Sequence, residues 1–299
     1  MNNELYNDHL NFIKKINYGY SLINKKNYDE LDKYGFTIIE CDKNYWIKND
    51  VDFDELEKKS DELVNNKGFD AEEGTKRASN LVEEDSIFIK IAKLPDFLKA
   101  ADHVIKHPFK LNAVQLRYPQ PYAKRQDLHI DWRPRLRSFY NFNQITCFVY
   151  FDDTNEENGA MHVYPGTHNL LGEPTEKRIR DLNLSLKILI AKKFNIAITN
   201  IYAWHYGGQN INGKPRRTIF SSYRERSEFQ QLNQKKYLSP KTISAFTDFE
   251  KYLFAVRDSD IEQNDYLKSL INKNFLIRRL FLLRDYFYHK KLNLRKFKK

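Results

Sequence analysis

Three residues of this chain have the types and the spacing to share one metal ion: His129, Asp131 and, much further along, His205. His129 and Asp131 stand two apart in Gln126-Asp-Leu-His-Ile-Asp-Trp132. In extended backbone, side chains at i and i+2 point to the same face, so an imidazole nitrogen and a carboxylate oxygen can approach one ion while Ile130 points away. Taken alone, such a triplet also describes two solvated side chains. A second histidine from a distant strand changes that, because two imidazoles and one carboxylate form a facial set that leaves neighbouring positions open for oxygen and a bidentate small molecule. His205 follows the apolar run Ile196–Trp204 and precedes Gly207-Gly208, which places it at a strand end. Pro215-Arg-Arg-Thr-Ile-Phe-Ser-Ser-Tyr223 then opens another strand on two arginines, whose planar forks suit a carboxylate.

The elements that must carry these residues lie between Leu111 and Arg226. Short runs rich in β-branched and aromatic residues recur there: 113–118, 145–151, 160–164, 196–204 and 218–223. Turn signals separate them at Tyr118-Pro-Gln-Pro121, Asn158-Gly159, Pro165-Gly166 and Gly207-Gly208, and a more helical insert is expected between Glu173 and Lys193. Several short strands with such turns predict a sandwich or barrel. Residues 1–110 read as helices around one early strand, Gly35–Ile39, with apolar residues at helical spacing in Val51–Val64. Residues 227–299 return to helical spacing. The expected organisation is one catalytic domain: a helical N-terminal part (1–110), a mainly β core (111–226) and a helical, basic C-terminal extension (227–299).

Taken in order, His129-Ile-Asp131, Asn158-Gly-Ala-Met-His-Val-Tyr-Pro-Gly-Thr-His168, His205 with Gly207-Gly-Gln-Asn210, and Arg216-Arg217 resemble the phytanoyl-CoA dioxygenase family. The resemblance is densest from Leu111 to Arg226 and extends faintly to Tyr34-Gly-Phe36. It implies a double-stranded β-helix, a cupin-like jelly roll, with Fe(II) held by His129, Asp131 and His205. It also implies 2-oxoglutarate as co-substrate, anchored by an arginine eleven positions after the distal histidine, which is Arg216, with ascorbate as reductant in vitro. Arg217 then points to the opposite face and is expected to be a surface charge. Related halogenases lack the carboxylate ligand, so Asp131 implies hydroxylation. His168, His162, His103, His107, His9 and His289 are read as structural or exposed.

The remaining chemistry is charge. The net charge is +10, and the stretch 274–299 alone carries nine Lys or Arg against the single Asp285, so the rest of the chain is nearly neutral. Lys124, Arg125, Arg133, Arg135 and Arg137 crowd the expected mouth of the site. Arg133, Arg135 and Arg137 are candidate contacts to a small anionic metabolite, sugar or lipid, phosphorylated, nucleotide-linked or carrier-linked. Phe275, Leu276, Leu280, Leu283 and Phe287 give the last segment an amphipathic face. It docks on the core or makes a peripheral contact with an anionic membrane, and docking is the preferred reading. No nucleic-acid recognition module accompanies the basic tail, so nucleic acid is not favoured as a partner. Two distant cysteines, and no run long and apolar enough for a membrane span or signal peptide, fit a cytoplasmic protein. Two rival readings stay open: a non-catalytic metal- or sugar-binding jelly roll, and a membrane- or nucleic-acid-associated protein acting through its tail.

Overall fold

The computed structural model describes residues 3–16, 19–71, 74–131, 142–170 and 172–258, with side chains from residue 8 onward. The basic tail at 274–299 lies outside the described residues. Helices α1 (Asn3–Ile16) and α2 (Lys25–Tyr34) precede strand β1 (Phe36–Ile39), then α3 (Lys43–Lys48) and α4 (Phe53–Lys67). Strands β2 (Phe69–Ala71) and β3 (Thr75–Ala78) follow, then α5 (Leu81–Glu84), α6 (Ser86–Ala92) and α7 (Pro95–Ile105). Local chemistry sets these bounds. Asp52 caps α4 by accepting from the amides of Asp54 and Glu55, and Pro95 occupies the first turn of α7, where its missing N–H costs nothing. Helix α2 ends on Gly35 at φ 84°, a left-handed conformation, and a Cβ there would meet His168 Nδ1 at 2.6 Å.

The core continues through β4 (Phe109–Pro119), β5 (Gln144–Tyr150), β6 (Met161–Val163), α8 (Glu176–Asp181), β7 (Lys187–Leu189), β8 (Ile196–Asn200), β9 (His205–Gly207) and β10 (Thr218–Glu225). Short helices α9 (Gln234–Tyr237), α10 (Pro240–Ala245) and α11 (Asp248–Leu253) close the described chain. A seven-stranded sheet has the order β1-β8-β5-β10-β4-β3-β2 and a three-stranded sheet the order β7-β6-β9, with antiparallel pairing throughout. The sheets face each other. Phe148, Tyr150, Ala197 and Phe220 of the large sheet pack with Met161 of the small one, and Val163 and Leu189 pack with Phe36. The other face of the large sheet (Val114, Leu116, Ile145, Cys147, Val149, Ile219) is buried with Phe97, Leu98 and Ala101 of α7. Covered on both faces, β5 is buried along its whole length, which explains its nearly unbroken apolar sequence. This is the expected mainly β jelly roll with flanking helices.

Three details differ from the expectation. The N-terminal part contributes two short strands, β2 and β3, besides the early one. The run 196–204 is a strand only to Asn200; Ala203 N then bonds Asn200 O, and the chain turns before β9 begins at His205. The insert 173–193 holds a single six-residue helix, and its second half supplies β7, the edge of the small sheet. Strands of three residues are too short for alternation to register. Among the described residues no helix is long and apolar enough to cross a membrane.

The first helix docks through a pH-sensitive contact. His9 is buried, with Nδ1 3.2 Å from the Tyr252 hydroxyl of α11, and packs edge-on against Phe109. Burial, and then the nearby charge of Arg226, pull its pKa down to about 4. The folded state thus favours the neutral ring, whereas the unfolded chain binds a proton at the ordinary value. Stability should be fully present above pH 6.5 and fall as pH drops toward about 4. Melting temperatures of the parent across that window should decline more steeply than those of His9→Gln; parallel curves would remove His9 from the account.

Candidate metal centre

The two histidines meet through the backbone. His129 N donates to His205 O at 3.0 Å and His205 N to His129 O at 3.1 Å, an isolated antiparallel bridge at the edge of the small sheet. Directly opposed residues of such a pair project side chains to the same face, and the two rings lie 4.5 Å apart between centroids. Asp131 N donates to Ile201 O at 3.2 Å, which holds the carboxylate beside the rings. Asp131 Oδ1 lies 3.6 Å from His129 Nε2 and 3.7 Å from His205 Nε2, and the three donor atoms lie within 4.8 Å of one another.

Each ring is also set in one tautomer. His129 Nδ1 lies 2.6 Å from the Asp127 carbonyl, and His205 Nδ1 2.8 Å from that of Ala203. A carbonyl only accepts, so both Nδ1 atoms carry the proton and both Nε2 lone pairs face Asp131, the second-sphere arrangement that orients metal-binding imidazoles. Burial lowers the proton affinity of His205, reinforced by His129 and Arg117 and only partly offset by Asp131, so its ring favours the neutral, ligating form. Burial by itself raises the Asp131 carboxyl; His205 and His129, when protonated, and Arg117 override it and hold the group well below the usual carboxylate range. A cation seated in place of those protons would meet two imidazole lone pairs and an ionised oxygen, a donor set that suits a divalent transition ion.

Arg216 faces the same cavity, and Arg217 faces away from it. The cavity is lined by the three metal-ligand candidates together with Phe148, Tyr150, Met161 and Arg216. The Nε of Arg216 is buried and lacks a hydrogen-bond partner among the described residues, an opening that an acid group would fill. Burial lowers the pKa of this guanidinium and also pushes the Tyr150 hydroxyl up to about 12, so Tyr150 enters the site as a neutral donor. Arg217 is not the surface charge expected of it. Its side chain is only 22% exposed and pairs with Glu57, with Asp61 at 2.7 Å and with Asp152 at 2.8 Å. The expected strand opening on the two arginines begins only at Thr218; just ahead of it they do take opposite sides, but α4 lies on the side of Arg217 and supplies two of the carboxylates. Arg133, Arg135 and Arg137 lie outside the described residues.

Other site residues escaped the sequence reading. Gln126 Oε1 accepts from Gly207 N at 2.8 Å, and a Cβ on Gly207 would sit 2.8 Å from that oxygen, so the glycine read as a turn signal ends β9 and serves close approach. Arg77 and Arg117 also line the cavity. Arg117 had left a signal: in β4 the alternate residues Val114, Leu116 and Tyr118 join the main core, which leaves Ala113, Gln115 and an arginine for the inner face. His168, as expected, stays away from the three ligand candidates; it is buried with Nε2 3.1 Å from Asp32 O.

A sequence model of the phytanoyl-CoA dioxygenase (PhyH) family matches residues 52–218, more than half of the chain. The chain belongs to the phytanoyl-CoA dioxygenase family. Membership makes this PhyH protein an iron- and 2-oxoglutarate-dependent oxygenase or a related enzyme. No curated protein sequence matches it. Among solved structures, it is similar to the non-heme α-ketoglutarate-dependent epimerase SnoN from nogalamycin biosynthesis, at 14% identity and TM-score 0.56, covering 68% of this chain and 83% of that one. HygX from Streptomyces hygroscopicus, with nickel, 2-oxoglutarate and hygromycin B bound, gives 15% identity and TM-score 0.54 over 68% and 88% of the two chains. EctD from S. alaskensis with bound Fe gives 15% and 0.54 over 70% and 81%. Identities this low speak to the fold, and all three support the jelly roll of this PhyH chain.

Proposed function

We propose that the protein is an Fe(II)- and 2-oxoglutarate-dependent dioxygenase that hydroxylates an unactivated C–H bond of a small anionic metabolite. In this reading His129, Asp131 and His205 hold the metal and Arg216 anchors the co-substrate. The observation that carries it is the convergence of two tautomer-locked Nε2 atoms and the Asp131 carboxylate beside an unpartnered Arg216. Bound there, iron and 2-oxoglutarate supply oxygen activation coupled to decarboxylation of the co-substrate to succinate. The chain's own part is placement. Arg216 pairs with the far carboxylate of the co-substrate in a buried setting where such a bond is strong, Tyr150 offers a hydroxyl beside it, and Phe148 and Met161 keep that end of the cavity dry. Hydroxylation, as opposed to halogenation, is favoured by the carboxylate in the ligand set. The free cysteines Cys41 and Cys147 fit a reducing compartment, and we place the enzyme in the cytoplasm.

The test is succinate release. The purified chain with Fe(II), ascorbate and 2-oxoglutarate should form succinate slowly by uncoupled turnover, and faster when its substrate is added. Succinate no higher than in a metal-chelated control would count against the proposal, and a product lacking the added oxygen atom would remove hydroxylation while leaving the oxygenase site.

A further inference from the structure

The same cavity holds more positive charge than the proposed metal and co-substrate can use. Arg77, Arg117, Lys124 and Arg216 line it against the single carboxylate of Asp131, a surplus of three positive charges. Loading leaves that surplus unchanged, because Fe(II) brings two positive charges and 2-oxoglutarate two negative ones. Arg216 is engaged by the far carboxylate; Arg77 and Arg117 are left over.

Their placement follows from register. Arg77 on β3 is directly opposite Arg117 on β4, Arg117 is opposite Thr218 on β10, and Thr218 is opposite Tyr150 on β5. Directly opposed residues share a face, so these four form one row across the large sheet, and all four line the cavity. Like charges directly opposed across strands are destabilising. Nevertheless the Nε atoms of both Arg77 and Arg117 are buried with no hydrogen-bond partner, and neither guanidinium has an ion-pair partner within 4 Å among the described residues. The Arg117 guanidinium lies over the Phe220 ring at 4.3 Å, a contact that uses its face and none of its N–H donors. Burial pulls the Arg117 pKa down to about 10, with Arg77 and Arg216 adding to the effect and Asp131 opposing it, so an incoming anion would relieve a standing cost.

We propose that Arg77 and Arg117 form a subsite for a dianionic phosphate group of the substrate, beside the metal and co-substrate positions. Two adjacent guanidinium forks match the charge and the several oxygens of a phosphate monoester, whereas a carboxylate is satisfied by one. The proposal rests on the dioxygenase reading of the site, and it names the substrate class as phosphorylated small molecules. It assigns the recognition to the sheet itself, separately from Arg133, Arg135 and Arg137.

The experiment uses the full chain loaded with nickel(II) and 2-oxoglutarate, titrated with methyl phosphate and separately with acetate, with calorimetry and thermal melting as readouts. Methyl phosphate should bind and raise the melting temperature, and acetate should bind at least about tenfold more weakly. Arg77→Gln and Arg117→Gln should each lose about tenfold or more in methyl phosphate affinity while 2-oxoglutarate affinity stays within about threefold. Because each substitution removes an unpaired like charge, the unliganded variants should melt at or above the parent, which a merely structural arginine would not permit. Should Arg117→Gln fail to fold, Arg77→Gln and Arg117→Lys carry the same comparison. Methyl phosphate binding that is absent in the parent, or unchanged in the folded variants, overturns the subsite. Acetate binding as tight as methyl phosphate overturns the phosphate assignment, and a loss of 2-oxoglutarate binding in either variant reassigns the pair to the co-substrate. Failure of the underlying reading is seen separately, as 2-oxoglutarate binding that Arg216→Ala does not weaken.

Discussion

In the His205→Ala variant, Fe(II)-dependent succinate formation should disappear and affinity for nickel(II) should fall by more than about 100-fold. Loss of a mere second-sphere partner already costs about 10- to 100-fold, and a ligand contributes more. His129→Ala and Asp131→Ala should behave alike, because the three donor atoms belong to one set within 4.8 Å. The metal-free variants should keep the parent's far-ultraviolet circular dichroism and melt cooperatively. The backbone bridge between residues 129 and 205 uses main-chain atoms only and survives truncation of either side chain. Undiminished succinate in any one variant would remove that residue from the centre, and a collapse of the fold in all three would make the cluster structural.

The two neighbouring arginines should fail in opposite ways. Arg216→Ala should raise the apparent requirement for 2-oxoglutarate by about 100-fold or more, the scale of breaking a buried charge-assisted pair, roughly 3–5 kcal/mol. It should leave the unliganded melting temperature unchanged or slightly raised, since the buried Arg216 Nε has no protein partner to lose. Arg217→Ala should leave the co-substrate requirement nearly intact and lower stability by about 2 kcal/mol. Its removal takes the shared cation away from Asp61 and Asp152, while Glu57 keeps Lys193 at 2.5 Å. Hydrogen bonding to Asp152 raises the proton affinity of Arg217, so the guanidinium stays charged at any accessible pH. Equal shifts in 2-oxoglutarate requirement for the two variants would contradict the assignment of Arg216.

How far the sequence alone reached is clearest at this same pair. Period-two alternation was enough to send Arg216 and Arg217 to opposite faces, to put His129 and Asp131 together with Ile130 away, and to mark the β texture of the core. These are properties of neighbouring residues in extended backbone, and they hold before any tertiary contact forms. What each face meets is not local. That Arg217 meets carboxylates depends on a helix about 150 residues earlier, α4, which supplies Glu57 and Asp61, and the three-residue β7 and β9, unlike β6 in the expected run 160–164, gain strand structure only by pairing with β6. The row Arg77–Arg117–Thr218–Tyr150 was hidden for the same reason. Each residue is unremarkable in its own segment, and only the register of four strands drawn from distant parts of the chain sets two uncompensated guanidiniums side by side. Residue type and spacing determined which side chains can do chemistry; the tertiary structure decided which of them share a cavity, because cross-strand register and helix docking are set by burial of the whole core and leave no periodic trace in any single segment.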